Sequence, residues 1–166
     1  MHAAASWEED PSSLLKTKED LARANMVLIT LVFLEDHISA ILPDLKKARE
    51  KCDLMLGLVS SKEIVNLTKM GGLDMSKPSS GVLKFLKKLR GDKNKVTGGE
   101  KQMAILRQIP KVLKFIPGKA QDLRAYFLSM QYWLAGSEEN IESLFCYLLS
   151  RYSSLHNSST VSYTHL

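Results

Sequence analysis

The sequence is poor in the residues that make staples, metal clusters and membrane spans. Only two cysteines, Cys52 and Cys146, occur in 166 residues, far apart and with no CxxC pair. That argues against a disulfide framework or a cysteine zinc site, and for free thiols in a reducing cytosol. A cytoplasmic location is therefore expected. The sequons Asn66-Leu-Thr68 and Asn157-Ser-Ser159 then read as coincidence, because glycosylation needs a secretory route. The longest apolar run, residues 26–34 with Thr30 inside it, is too short to cross a bilayer, so no transmembrane segment is expected. A basic-then-apolar leader is missing too: Met1 is followed by His2 and three alanines, then by Glu8-Glu9-Asp10. Neither Gly71-Gly72 nor Gly98-Gly99 matches GxxxxGK[ST] or GxGxxG after a strand, which excludes the common nucleotide loops. Of the four histidines, His2, His156 and His165 lie near the ends. No Ser-His-Asp or Cys-His set is arranged locally, and no internal repeat has a solenoid period.

What is present is enough for one domain with a sizeable core. The hydrophobic fraction of 45% and charged fraction of 25% are those of an ordinary globular protein. The net charge of +5 conceals an asymmetry. Residues 84–119 hold eleven Lys or Arg against Asp92 and Glu100, a local balance of +9, so the remainder carries −4. One basic stripe on a segregated surface suits phosphate, nucleic acid, an anionic membrane or an acidic partner. Lys84, Lys87, Lys88 and Arg90 run beside Phe85, and Lys111 and Lys114 beside Phe115. Both aromatics sit at core-stripe positions rather than among exposed cations, so a solvated or partner-facing surface is favoured over nucleic acid.

The pattern along the chain predicts an α/β fold. Asp10-Pro11 starts a helix running to about Ala24. Residues 26–34, nearly all apolar and rich in β-branched side chains, read as a strand buried on both faces. Glu35-Asp36 opens a helix with Ile38, Ile41, Leu42, Leu45 and Ala48 at helical spacing and cations at its far end. Pro43 is expected to kink or split it. Residues 53–60 read as a second buried strand. Ser61 then caps a short helix holding Ile64, Val65, Leu67 and Met70, which Gly71-Gly72 ends. Strand, helix, strand, helix at this spacing is a βαβ unit of a parallel sheet.

Residues 72–81 read as a loop, 82–89 as a short basic helix and 91–99 as a polar connection. From there the pattern is helical. Met103, Leu106, Ile109 and Leu113 form one stripe, and Leu123, Phe127, Met130 and Leu134 another. Gly136 closes that helix and Ser137 opens the next, whose face is Ile141, Leu144, Phe145, Leu148 and Tyr152. The expected organisation is a partial parallel-sheet (βαβ) N-terminal domain with its basic linker over 1–100, then a helical segment over 101–152. A disordered tail over 153–166 follows, and 161–166 resembles translated sequencing adapter. Both ends read as cut, since a two-stranded parallel sheet is too small to stand alone.

The best constellation for chemistry is Glu35-Asp36-His37, placed after a buried strand where ligands of open α/β sheets bind. Two carboxylates and an imidazole can hold a divalent metal or move protons. The plainer reading, an acidic helix start with a surface histidine, is favoured, because no further ligand has recognisable spacing.

Four segments carry a resemblance: residues 66–71 (NLTKMG), 85–91 (FLKKLRG), 110–117 (PKVLKFIP) and 131–140 (QYWLAGSEEN). Together they resemble the large, porphyrin-binding (H) subunit of magnesium chelatases, in its bacteriochlorophyll-pathway form. That family is related to the cobaltochelatase large subunit. The likeness covers roughly residues 2–152. It implies ATP-dependent insertion of Mg²⁺, the substrate metal, into protoporphyrin IX, with ATP hydrolysed by two partner subunits of the AAA+ type. It also implies that the chelating residues lie beyond Tyr152. No catalytic, cofactor-binding or metal-binding residue is therefore assigned within the chain, and the segment alone is expected to be inactive. The ring faces of Tyr132 and Trp133 would suit a planar tetrapyrrole if exposed, although helix packing is the commoner use of Tyr126, Phe127, Tyr132 and Trp133. The alternative is a free-standing basic α/β module for an anionic partner.

Overall fold

A helix that begins with proline needs an acceptor in front of it, and Asp10 provides one. Its carboxylate accepts from the Ser12 amide at 2.9 Å, and Pro11 takes the first helical position, where no amide is needed. The computed structural model describes residues 1–77 and 119–154, with only the backbone of 119 and 120. A short turn, α1 (Ser6–Glu9), precedes α2 (Pro11–Arg23). Then come β1 (Met26–Thr30), α3 (Glu35–Lys51), β2 (Leu54–Leu58), α4 (Lys62–Val65), β3 (Lys69–Met70) and β4 (Leu73–Asp74). Two longer helices follow, α5 (Lys119–Ala135) and α6 (Glu138–Tyr152).

The sheet has the order β1-β2-β3-β4. β1 and β2 are parallel, in register from Met26 opposite Leu54 to Thr30 opposite Leu58, and α3 connects them. The expected βαβ unit is present. The sheet as a whole is mixed, because β3 and β4 add to it antiparallel.

β2 is buried along its whole length, and its pleat explains how. Leu54, Leu56 and Leu58 enter a core with Met70, Leu73 and residues of α5 and α6, including Leu123, Phe127, Leu144 and Leu148. Met55 points the other way, into a core with Val27 and Ile29 of β1, Ile64 of α4 and Ile38, Ile41 and Leu45 of α3. Helices therefore cover both faces of β2, and each buried Leu contributes roughly 1.5–3 kcal/mol. Gly57 marks the tightest point. A Cβ there would stand 2.7 Å from the carbonyl oxygen of Ile64, so only glycine lets α4 lie so close.

Three expectations are corrected. The first strand stops at Thr30 rather than Leu34, because Leu31 has φ 59° and leaves the extended region. It is also not buried on both faces: Val27 and Ile29 are buried, while Met26, Leu28 and Thr30 are half-buried. Second, Pro43 does not split α3, which is continuous from Glu35 to Lys51. A mid-helix proline costs about 3 kcal/mol, but Ile38 and Ile41 before it and Leu45 and Ala48 after it are all buried on one side. Burial of that stripe outweighs the lost hydrogen bond. Third, Met70 is in a strand and not in α4. Gly71, at φ 54°, and Gly72 form a two-residue hairpin turn that sets Met70 opposite Leu73.

The C-terminal helices follow their punctuation. Gly136 takes φ 70° between them, and the Ser137 hydroxyl accepts from the Asn140 amide at 3.3 Å. Of their expected stripes, Leu123, Phe127, Leu144 and Leu148 are buried, whereas Leu134 and Phe145 are exposed. The end of α6 is tied to the start of β2, where Asp53 accepts from the Ser154 amide at 3.0 Å and its hydroxyl at 2.6 Å. The expected elements at 82–89, 91–99 and 103–113 lie outside the described residues, as do Gly98-Gly99, the basic side chains from Lys84 to Lys114 and the tail from 155.

Candidate functional site at the carboxyl ends of the parallel strands

The carboxyl ends of β1 and β2 lie side by side, and both strands leave the sheet by the same unusual route. Leu31 has φ 59° and Val59 has φ 45°, a left-handed conformation that bulky and β-branched side chains rarely adopt. The two residues hold each other there, the Leu31 amide donating to the Val59 carbonyl at 3.0 Å. The next residues repeat the tie. The Val32 amide donates to the Ser60 hydroxyl at 3.2 Å, and the Ser61 amide to the Val32 carbonyl at 2.9 Å. Ser61 then caps α4 through Ile64. The result is a doubly fastened edge from which α3 starts.

Glu35 and Asp36 occupy the first turn of α3, exposed, where the helix dipole favours negative charge. His37 turns away from them. Its Nε2 pairs with Glu8 Oε1 at 3.1 Å, and its ring meets Trp7 edge-on with centroids 5.8 Å apart. Only 11% of the side chain remains exposed, so it is not the surface histidine expected from the sequence. Its work is to fasten α1 onto the start of α3. The two carboxylates and the imidazole are thus not brought together, and among the described residues no three or more His, Cys, Asp or Glu could share a metal ion.

Two polar networks that the sequence did not signal hold the hairpin in place. In the first, the Asp122 carboxylate accepts from the Gly72 amide at 2.8 Å and from the Tyr152 hydroxyl at 2.8 Å, with the Arg151 guanidinium 3.8 Å away. Gly71-Gly72 is therefore a clasp for α5, not a phosphate loop. Burial and the hydrogen bond to Asp122 push the Tyr152 phenol well above its ordinary range. In the second, Arg49 of α3 pairs with Asp74, donates to the Leu67 carbonyl at 2.8 Å and reaches Ser76 at 3.2 Å. Partial burial on its own would raise the Asp74 carboxyl. The side-chain and backbone hydrogen bonds from Ser76, with Arg49 and Lys77 nearby, instead hold it down at about 2.

That shift has a consequence for stability. A carboxyl lowered from 3.8 to about 2 stabilises the fold fully above pH ~4, and the contribution is lost as pH falls through 2. One pKa unit corresponds to about 1.4 kcal/mol, so the loss amounts to roughly 2 kcal/mol. Asp74→Asn is expected to flatten the stability profile between pH 4 and pH 2, measured by urea unfolding at stepped pH. An unchanged profile would show that Asp74 is not held down.

The remaining candidates are structural. Tyr126 and Phe127 are buried in a T-shaped pair with centroids 5.6 Å apart, and burial pushes the Tyr126 phenol up to about 12. Tyr132 and Trp133 are half-buried and pack against the same core. Cys52 is buried, its thiol raised by burial, and Cys146 is exposed; both are free. His2 pairs with Asp20 at 2.8 Å.

Comparison with known proteins decides the family. Residues 1–127 match the family model described as "Domain of unknown function (DUF3479)". The chain belongs to this family. The chain is 56% identical over 154 residues to the magnesium-chelatase H subunit of Cereibacter sphaeroides and 55% identical over 153 residues to that of Rhodobacter capsulatus. Each match takes in 92% of this chain. The chloroplastic magnesium-chelatase ChlH subunit of Oryza sativa subsp. indica is 34% identical over 125 residues, 75% of the chain. These are the proteins to which the four segments pointed. The chain spans 13% of the length of the two bacterial relatives and 9% of the plant one. No helix among the described residues is long and apolar enough to cross a membrane.

Proposed function

We propose that this DUF3479 chain is a scaffolding part of the porphyrin-binding subunit of a magnesium chelatase, which inserts Mg²⁺ into protoporphyrin IX on the way to chlorophylls or bacteriochlorophylls. The observation that carries the reading is the 56% identity, sustained over 92% of the chain, to a protein named as the H subunit of a magnesium chelatase. Metallation has to strip water from a tightly hydrated Mg²⁺, bend a planar macrocycle and remove two pyrrole protons. A pocket with several ligating and basic groups is needed for that, and we place those groups in the rest of the large subunit. AAA+ partner subunits hydrolyse the ATP, and the complex works in the cytoplasm. The alternative of a free-standing basic module rests on the stripe at 84–119, most of which is outside the described residues.

The test is reconstitution. The full-length large subunit containing this sequence, mixed with the two ATPase subunits, ATP, Mg²⁺ and protoporphyrin IX, is expected to form Mg-protoporphyrin, read by its fluorescence shift. No product with any ATPase pair, while the large subunit is folded, would overturn the reading.

A further inference from the structure

We propose that the loop 31–34 is a docking surface, and that its occupant is another part of the same large subunit, apolar at its centre and basic at its rim. Leu31, Phe33 and Leu34 are 61%, 57% and 58% exposed, three large apolar side chains on one four-residue loop. Single exposed apolar residues are ordinary on a surface; three on one loop mark an interaction site.

The backbone gives a second, independent observation. Leu31 at φ 59° and Val59 at φ 45° adopt a conformation that glycine would take without strain. A loop whose task was only to join β1 to α3 would be served by glycine at 31 and polar residues at 33 and 34. Strain of this kind persists where the surroundings over-determine it, and the paired loop hydrogen bonds do so here. The strained turn displays the apolar side chains at the carboxyl edge of the parallel strands, where α/β sheets take their ligands.

The choice of occupant follows from length and charge. The chain spans 13% of its bacterial relatives, so most of such a polypeptide lies elsewhere, tethered to this loop at high effective concentration. Glu35 and Asp36 stand exposed beside the apolar side chains, which calls for cations around the rim of the facing surface. The inference rests on membership of the large-subunit family and not on the porphyrin reading, so its test uses neither porphyrin nor ATP.

The experiment places the photoreactive amino acid p-benzoylphenylalanine at position 33 of the purified full-length large subunit, irradiates it alone and maps the crosslinks by mass spectrometry. Position 9, exposed on α1, is the control. Expected are crosslinks from position 33 to one group of peptides outside residues 1–166, at monomer mass, with none from position 9. Absence of crosslinks, crosslinks confined to residues 1–166, or a doubled mass would each overturn the proposal. As a second readout, Phe33→Glu with Leu34→Glu is expected to lower the Tm of the full-length protein. Residues this exposed have little to lose within their own domain, so an unchanged Tm would also count against the proposal.

Discussion

An Asp122→Ala chain is expected to lose roughly 3 kcal/mol of unfolding free energy, measured by urea denaturation. Asp122 links the β3–β4 turn to the end of α6, taking hydrogen bonds from the Gly72 amide and the Tyr152 hydroxyl. Each hydrogen bond to a charged acceptor contributes about 1.5–3 kcal/mol, and the Tyr152 hydroxyl, half-buried, would be left without its acceptor. Asp122→Asn keeps one acceptor oxygen but turns an NH2 toward the other donor, so it loses one of the two hydrogen bonds with the charge and should cost about 2 kcal/mol. The Gly71 turn is shaped around the same carboxylate, since a Cβ there would lie 2.7 Å from Asp122 Oδ2. A loss below about 0.5 kcal/mol for the alanine variant, the range of an ordinary surface substitution, would mean that the clasp is incidental.

Leu56→Ala is expected to have the larger effect, about 2–5 kcal/mol. Leu56 is fully buried at the centre of β2, among Leu54 and Leu58 and beneath α5 and α6. Domains of this size are stable by about 5–15 kcal/mol, so the variant should be partly unfolded at moderate urea and strongly heat-labile. Leu56→Met, which keeps the volume, should cost less than about 1.5 kcal/mol. Equal losses from the two variants would show that the face of β2 under α5 and α6 is not closely packed.

The two cores were legible to different degrees. β2, α2 and the breaks at Asp10, Gly136 and Ser137 follow from local chemistry: a capping side chain, a left-handed glycine, an apolar run. The end of β1 did not follow, because a left-handed leucine has no sequence signal and Val32 to Leu34 continue the apolar pattern. Pro43 misled for a different reason, since the buried stripe on both sides of it outweighs its local cost. Gly71-Gly72 fits a helix stop and a hairpin turn equally well, and pairing with β2 decides between them. His37 was placed with Glu35 and Asp36 by adjacency, yet its partner is Glu8, 29 residues away. Asp122 gave no signal at all, as a lone acid in a helical first turn is commonplace.

On the function proposed above, these residues belong to the large subunit of a magnesium chelatase, and its porphyrin site lies outside them. Fluorescence titration of a soluble protoporphyrin analogue into the 166-residue chain and into the full-length large subunit puts that statement to the test. Tight, saturable binding is expected of the full-length protein alone. Equal affinity for the two would contradict it and place the pocket within this chain.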